Sequence, residues 1–294
     1  MVGVCAPAGA VDAARLDKGV ATLRALGFEV RASEGLRVRS RFAAGDVERR
    51  LAELQGLFAD DTVAGIVCAR GGAGAGWLLP RLDAELLRAH PKVFVGYSDI
   101  TLLHLYLNRL GLVTFHGPMV AYELASGAYD RASFLGAVTG AGRSYASEAD
   151  DLVVLRPGTA EGVLRGGCLS LLAAAAGTPW ALHAGEPMLL FLEDVDEKPY
   201  RIDRLLMQLR LSGALEGVAG IVFGDMKGCA PGLDADYSLE DVILEALGGL
   251  EVPIALGLSS GHTTHPLVTL PFGVQARLVC GDDARFEVLE AAVS

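Results

Sequence analysis

Three short runs in the first hundred residues, Val2–Ala6, Gly65–Ala69 and Val93–Gly96, are apolar at every position. A run without polar alternation offers no face to water, so as a strand it must be covered on both sides. The stretches between them read differently. Ala13–Leu26, ending at Gly27, and Asp46–Ala59 carry apolar residues at helical spacing, and Phe28–Arg31 is a further strand candidate. Alternating helices and continuous apolar strands specify a parallel sheet with helices on both faces. Ligands of such sheets gather at the carboxyl ends of the strands. This chain places Arg70-Gly71-Gly72 and Ser98 at two such ends.

Between Gly136 and Asp151 the pattern gives way to Gly, Ser, Thr and acidic residues, the composition of a linker. The expected organisation is an N-terminal α/β domain over 1–140, a linker over 141–160 and a C-terminal α/β domain over 161–294. The second half offers strands at Gly162–Leu164, Met188–Leu192, Gly220–Phe223 and Gln275–Val279, with helices at Leu169–Ala176, Tyr200–Leu211 and Leu239–Leu247. With 294 residues, each half is large enough to bury its own core. A composition 51% hydrophobic and 21% charged is that of a globular chain. The net charge of −11 excludes a general nucleic-acid binder, and the basic run Arg31–Arg41 reads as solvated surface. Five scattered cysteines, Cys5, Cys68, Cys168, Cys229 and Cys280, form no C-x-x-C pair and read as reduced core thiols. Met1-Val2-Gly3-Val4 opens without an export signal, and no apolar run approaches a membrane span, so the expected location is the cytoplasm.

Val93-Phe94-Val95-Gly96-Tyr97-Ser98-Asp99-Ile100-Thr101 turns from strand to helix at a serine. Such a serine projects its hydroxyl above the sheet beside the unpaired N–H groups of the new helix. It is either a nucleophile or a plain helix N-cap. Ile100 stands where a Gly-x-Ser-x-Gly elbow has its second glycine. Arg70-Gly71-Gly72-Ala73-Gly74-Ala75-Gly76 follows a strand but lacks the Gly-Lys-Ser/Thr ending of a phosphate loop, which leaves a tight turn or an oxyanion donor. The apolar run Met188–Leu192 ends on Glu193 and Asp194, either of which could orient a histidine. Gly261-His262-Thr263-Thr264-His265-Pro266 supplies a base or a pair of zinc ligands, the latter with no nearby cysteine or fixed carboxylate to complete the set. His116, in Phe115-His116-Gly117-Pro118-Met119, is a rival base, whereas His104 reads as helix core, His90 as surface and His183 as loop.

Taken in order, these segments resemble the serine LD-carboxypeptidases, which include the murein tetrapeptide carboxypeptidases and the microcin C7 self-immunity proteins. The likeness rests on Ala6-Pro7-Ala8-Gly9, Ala69-Arg70-Gly71-Gly72, Gly96-Tyr97-Ser98-Asp99-Ile100-Thr101 and Phe115-His116-Gly117-Pro118-Met119. It continues through Phe191-Leu192-Glu193-Asp194-Val195, Pro199-Tyr200-Arg201-Ile202-Asp203-Arg204, Gly261-His262 and Leu270-Pro271-Phe272-Gly273. The resemblance implies Ser98 as nucleophile, Glu193 as acid and His262 as base, with oxyanion donation from the backbone N–H of Asp99 and of Gly72. It also implies a flavodoxin-like or amidotransferase-like N-terminal domain, a smaller mixed α/β C-terminal domain with the site between them, no metal or cofactor, and a homodimer. Two positions depart from the family, Ala73 where a tyrosine is usual and Cys168 where an asparagine is usual, which bears on substrate fit rather than on the triad.

The implied reaction is acyl transfer to Ser98, releasing terminal D-alanine from a murein tetrapeptide during peptidoglycan recycling. The partner is then a small peptide, with neither nucleic acid nor membrane. Three alternatives stand beside it: a microcin C7 self-immunity-type peptidase cleaving an amide to a nucleotide-like group, a non-catalytic muropeptide or nucleotide sensor, and a metal hydrolase built on His262 and His265.

Overall fold

In the computed structural model residues 1–140, 152–183, 186–282 and 284–293 are described. The first half runs β1 (Val2–Cys5), α1 (Ala13–Ala25), β2 (Val30–Arg31), α2 (Val47–Ala59), β3 (Gly65–Cys68), α3 (Ala84–Ala89), β4 (Val93–Gly96), α4 (Thr101–Arg109), β5 (Thr114–His116), α5 (Glu123–Ser126) and α6 (Arg131–Thr139). Asp12 and Asp46 start α1 and α2 by accepting the backbone N–H of Arg15 and Arg49, satisfying donors that a helix end leaves open. Leu16, Gly19, Val20 and Leu23 of α1 recur at helical spacing and are buried.

The strand order β2-β1-β3-β4-β5, all parallel, is the doubly wound flavodoxin-like arrangement. Its switch point lies between β1 and β3, where Gly9 N–H donates to Gly71 O at 2.8 Å. The all-apolar strands have a core on each side. Phe58, Phe94 and Leu103 fill one face, and Leu16, Leu23 and Phe134 the other.

The second half runs β6 (Val153–Arg156), β7 (Gly158–Cys168), α7 (Leu169–Ala175), β8 (Met188–Glu193), α8 (Pro199–Leu211), β9 (Val218–Gly224), α9 (Leu239–Ala246), β10 (Ile254–Leu258), β11 (Leu270–Phe272), β12 (Gln275–Cys280) and β13 (Arg285–Val288). Its sheet is ordered β13-β12-β7-β8-β9-β10-β6, with β7 to β10 parallel and the three outer strands antiparallel. Leu190, Leu206 and Ile243 pack the helices against one face.

β11 leaves this sheet and adds antiparallel to β5, with Leu270 opposite His116 and Phe272 opposite Thr114. It becomes the edge of the first sheet, the one place where Pro271 removes no needed donor. Phe272 packs with Phe191 and Leu278 of the second half. The loop between β10 and β11 is thus anchored in one sheet at each end.

The expected linker departs from the structure at its far end. Residues 141–151 lie outside the described residues, but Val153–Arg156 is β6 and Gly158 already begins β7. Val153 and Val154 are β-branched and pair with Leu256 and Ala255 of β10, although Val153 stays exposed as edge strands allow. β5, β10 and β13 are three to five residues long, too short for a periodicity to declare them. All five cysteines are buried and free. No helix of the described residues is long and apolar enough to cross a membrane.

Because Phe272 is fully buried where the two sheets meet, Phe272→Ala lowers stability by about 3–5 kcal/mol in urea denaturation. A loss under about 1 kcal/mol would show that β11 is not packed between the halves.

Candidate active site

β4 ends at Gly96, Tyr97 is extended and buried, and Ser98 then takes φ +65°. A non-glycine residue in the left-handed region costs about 1–2 kcal/mol and persists only where its surroundings enforce it. A short 3₁₀ turn over Ser98–Ile100 leads into α4. The Ser98 side chain caps neither segment and has no hydrogen-bond partner among the described residues. The N-cap reading is therefore not realised, and the hydroxyl stands free.

The glycine turn after β3 closes against this serine. A Cβ on Gly71 would lie 2.7 Å from Ser98 Cβ and 3.0 Å from its Oγ, so only glycine fits. Asp99 ties the two turns together, its buried carboxylate accepting Ala75 N–H at 2.8 Å. Burial raises the Asp99 pKa, opposed by that N–H and by the Arg50 guanidinium. Arg50, buried in α2, donates to Pro7 O and Gly74 O, each at 2.7 Å, bracing the turn from behind. The N–H groups of Gly72 and Asp99 donate to no backbone acceptor among the described residues.

Glu193 closes β8 in the middle of the second sheet and is fully buried. Its Oε2 accepts both His262 Nδ1–H at 2.7 Å and His262 N–H at 2.9 Å. Gly261 permits this approach: it has φ +81°, and a Cβ there would lie 2.6 Å from the Glu193 carboxyl. Asp225 holds the other side of the loop, accepting from the Thr263 hydroxyl and from Thr264 N–H at 3.0 Å. Asp194 has separate work. Its oxygens accept Ser170 N–H at 2.8 Å and Val195 N–H at 2.9 Å, which separates the two carboxylates that spacing leaves unranked.

His116 is fully buried and does not line the cavity containing Ser98. His116 Nδ1 and the Ser260 hydroxyl are hydrogen-bonded at 3.1 Å, and that hydroxyl also meets Val268 O at 2.8 Å. His116 Nε2 faces Glu193 Oε1 at 3.9 Å, beyond hydrogen-bonding range, and both atoms lack a hydrogen-bond partner. Burial would raise the Glu193 pKa, yet facing His116 and His262 the carboxyl is held at about 2. His262 supplies the hydrogen bonds among these. Burial also lowers His116, while His262 is raised above 6.5 because Glu193 outweighs its desolvation.

Glu193, depressed, stabilises the fold above its ordinary range, and that contribution is lost as pH falls from 4.5 through about 2. His262, raised, contributes fully below 6.5 and loses this as pH rises through its own folded pKa.

Ser98 and His262 line one cavity of about 350 Å³, with Arg70, Gly71 and Gly72 at one wall and Val195, Lys227 and Thr263 at another. His262 Nε2 is left for a proton from the serine, while Nδ1 is committed to Glu193. The expected residues Ser98, Gly72, Glu193 and His262 are brought together here, and Asp99 lies next to Ser98. His265 is exposed and does not line the cavity, and among the described residues no cluster of three His, Cys, Asp or Glu side chains is placed to hold a metal. His104 is buried against Gly96 O at 2.8 Å, as helix core. Sequence reading missed the Asp99 carboxylate, Arg50 and Asp225. Arg50, an arginine on the apolar stripe of α2, was the one visible signal.

The description "LD-carboxypeptidase N-terminal domain" matches residues 2–117, and "LD-carboxypeptidase C-terminal domain" matches residues 161–278. A Bacillus subtilis protein named as a probable murein peptide carboxypeptidase is 39% identical, over 100% of this chain and 92% of its own. The murein tetrapeptide carboxypeptidase of Pseudomonas aeruginosa is 34% identical, over 89% of this chain and 87% of its own. The crystal structure of a muramoyltetrapeptide carboxypeptidase from Oxalobacter formigenes superposes with TM-score 0.87 at 29% identity, covering 99% of each chain.

Two outcomes test this geometry. Ser98→Gly unfolds at higher urea than Ser98→Ala, by about 1 kcal/mol, because glycine relieves the φ +65° strain; equal stability would remove the strain. In an NMR imidazole titration His262 has its midpoint above 6.5, and Glu193→Gln lowers it; a wild-type midpoint at or below 6.5 would contradict the pairing.

Proposed function

The chain belongs to the LD-carboxypeptidase family, and on that premise we propose that Ser98, His262 and Glu193 are its catalytic triad, acting on murein tetrapeptides to release the terminal D-alanine. The single observation that carries the triad is that His262, bonded at 2.7 Å to a fully buried carboxylate, opens onto the same cavity as an unpartnered serine in a left-handed turn.

Ser98 Oγ attacks the carbonyl joining the L-centre of the diamino acid to D-alanine, and its proton passes to His262 Nε2. Glu193 fixes the tautomer and stabilises the imidazolium. The N–H groups of Gly72 and Asp99, neither spent on a backbone partner, receive the oxyanion. His262 then protonates the amine of D-alanine, and the same imidazole draws a proton from the water that frees the acyl-enzyme. In the free protein the Ser98 hydroxyl makes no bond to His262, a contact that such sites often complete only with substrate bound.

The wider reading follows the same line. The nucleophile belongs to an N-terminal domain and the acid and base to a C-terminal one whose sheet already includes Val153–Arg156 and the strand that begins at Gly158. Free buried cysteines support a cytoplasmic enzyme of cell-wall recycling. Tyr200, Met207 and Leu211 leave one face of α8 apolar and exposed, a surface that a second copy covers in a homodimer. The substrate is a small peptide, in keeping with a net charge of −11 that disfavours nucleic acid.

Purified protein incubated with murein tetrapeptide releases D-alanine by mass spectrometry. Ser98→Ala, His262→Ala and Glu193→Gln each lower kcat by about 10⁴-fold or more. No release by wild type would overturn the substrate, and equal release by Ser98→Ala the nucleophile.

A further inference from the structure

Arg70 is the first residue after β3 and its closing Ala69, and it lines the cavity beside Ser98. One guanidinium nitrogen donates to Ala10 O at 2.7 Å, and the group lies over the Tyr122 ring at 5.5 Å. Its Nε is buried beside Gly9 and Gly72, its Nη2 makes no hydrogen bond among the described residues, and no carboxylate among them pairs with it. Glu123, on the same cavity, is already engaged by the Tyr97 hydroxyl at 2.8 Å and Met119 N–H at 3.1 Å. A guanidinium held in place yet short of an anion is a prepared carboxylate receptor, because its planar donors match a carboxylate fork.

Geometry fixes which carboxylate. An enzyme that releases one terminal amino acid has only that residue beyond the scissile bond, so the terminal carboxyl carbon lies within about 4 Å of the attacked carbonyl carbon. Its receptor must stand next to the nucleophile. Arg70 lines the same cavity as Ser98, and the adjoining Gly71 packs so closely on the serine that a Cβ would fall 2.7 Å from Ser98 Cβ. Lys227, the other cation on the cavity, is exposed and its ammonium has no fixed partner among the described residues.

We propose that Arg70 is the specificity-determining residue that binds the free C-terminal carboxylate of the substrate and so restricts the enzyme to terminal residues. This rests on the carboxypeptidase reading of the same site. The structure prepares the side chain for the role by packing it on Tyr122 and anchoring it to Ala10 O, which reduces the entropy lost on binding.

The test compares kcat/KM for the tetrapeptide ending in D-alanine with that for the same peptide ending in D-alaninamide. Wild type favours the free acid by about 10- to 100-fold, the worth of a charge-assisted hydrogen bond. Arg70→Gln collapses that preference toward unity, Arg70→Lys restores part of it, and Lys227→Gln retains it. A wild type indifferent to amidation would overturn the proposal without any variant. So would an Arg70→Gln variant that slows both peptides in parallel, which is the mark of a structural arginine, or a preference that disappears in Lys227→Gln instead. A wild type that releases nothing from the acid would remove the carboxypeptidase reading and the proposal together.

Discussion

A carboxylate buried completely in the middle of a sheet is the constraint around which this molecule is arranged. Removing Glu193 from water penalises its charged form severely, and no lysine or arginine among the described residues offsets it. Two hydrogen bonds from His262 do, and they are possible only because Gly261 brings the loop backbone onto the carboxylate. The cost of burial is thereby converted into a raised His262 pKa and a fixed tautomer, the properties that a general base needs.

That loop is held by topology as well as by hydrogen bonds. β10 belongs to the second sheet and β11 to the first, so the segment carrying His262 spans the boundary between them. On the facing side, Asp99 and Arg50 lock the glycine turn against Ser98 and hold the serine in a conformation it would not otherwise adopt. Each half therefore presents rigid groups to one cavity. Thr101 of α4 adds a direct tie, its hydroxyl accepting Cys168 N–H at 3.0 Å.

Much of this was legible in the residues. The unbroken apolar runs at β1, β3 and β4 require a covered parallel sheet, and the turn at Ser98 and the end of β8 mark themselves by abrupt changes of residue type. What escaped was decided by partners distant in sequence. Three residues, Leu270-Pro271-Phe272, carry no strand period, and they join the first sheet only because His116 and Thr114 lie opposite. Glu193 and Asp194 are adjacent and chemically alike, so spacing alone leaves them unranked; the family resemblance points to Glu193, and in the structure Ser170 N–H claims Asp194 while His262 claims Glu193. Arg50 stands out on the apolar stripe of α2, but its role is decided by Pro7 O and Gly74 O, which lie far from it along the chain.

The central claim is that Ser98 from one half and Glu193 with His262 from the other act as one unit. Its most direct measurement is the double-variant cycle in kcat for Ser98→Ala and Glu193→Gln. Members of a unit are grossly non-additive, so the double variant turns over about as slowly as Ser98→Ala alone. Losses that multiply, leaving the double variant slower by the product of the two single effects, would contradict it.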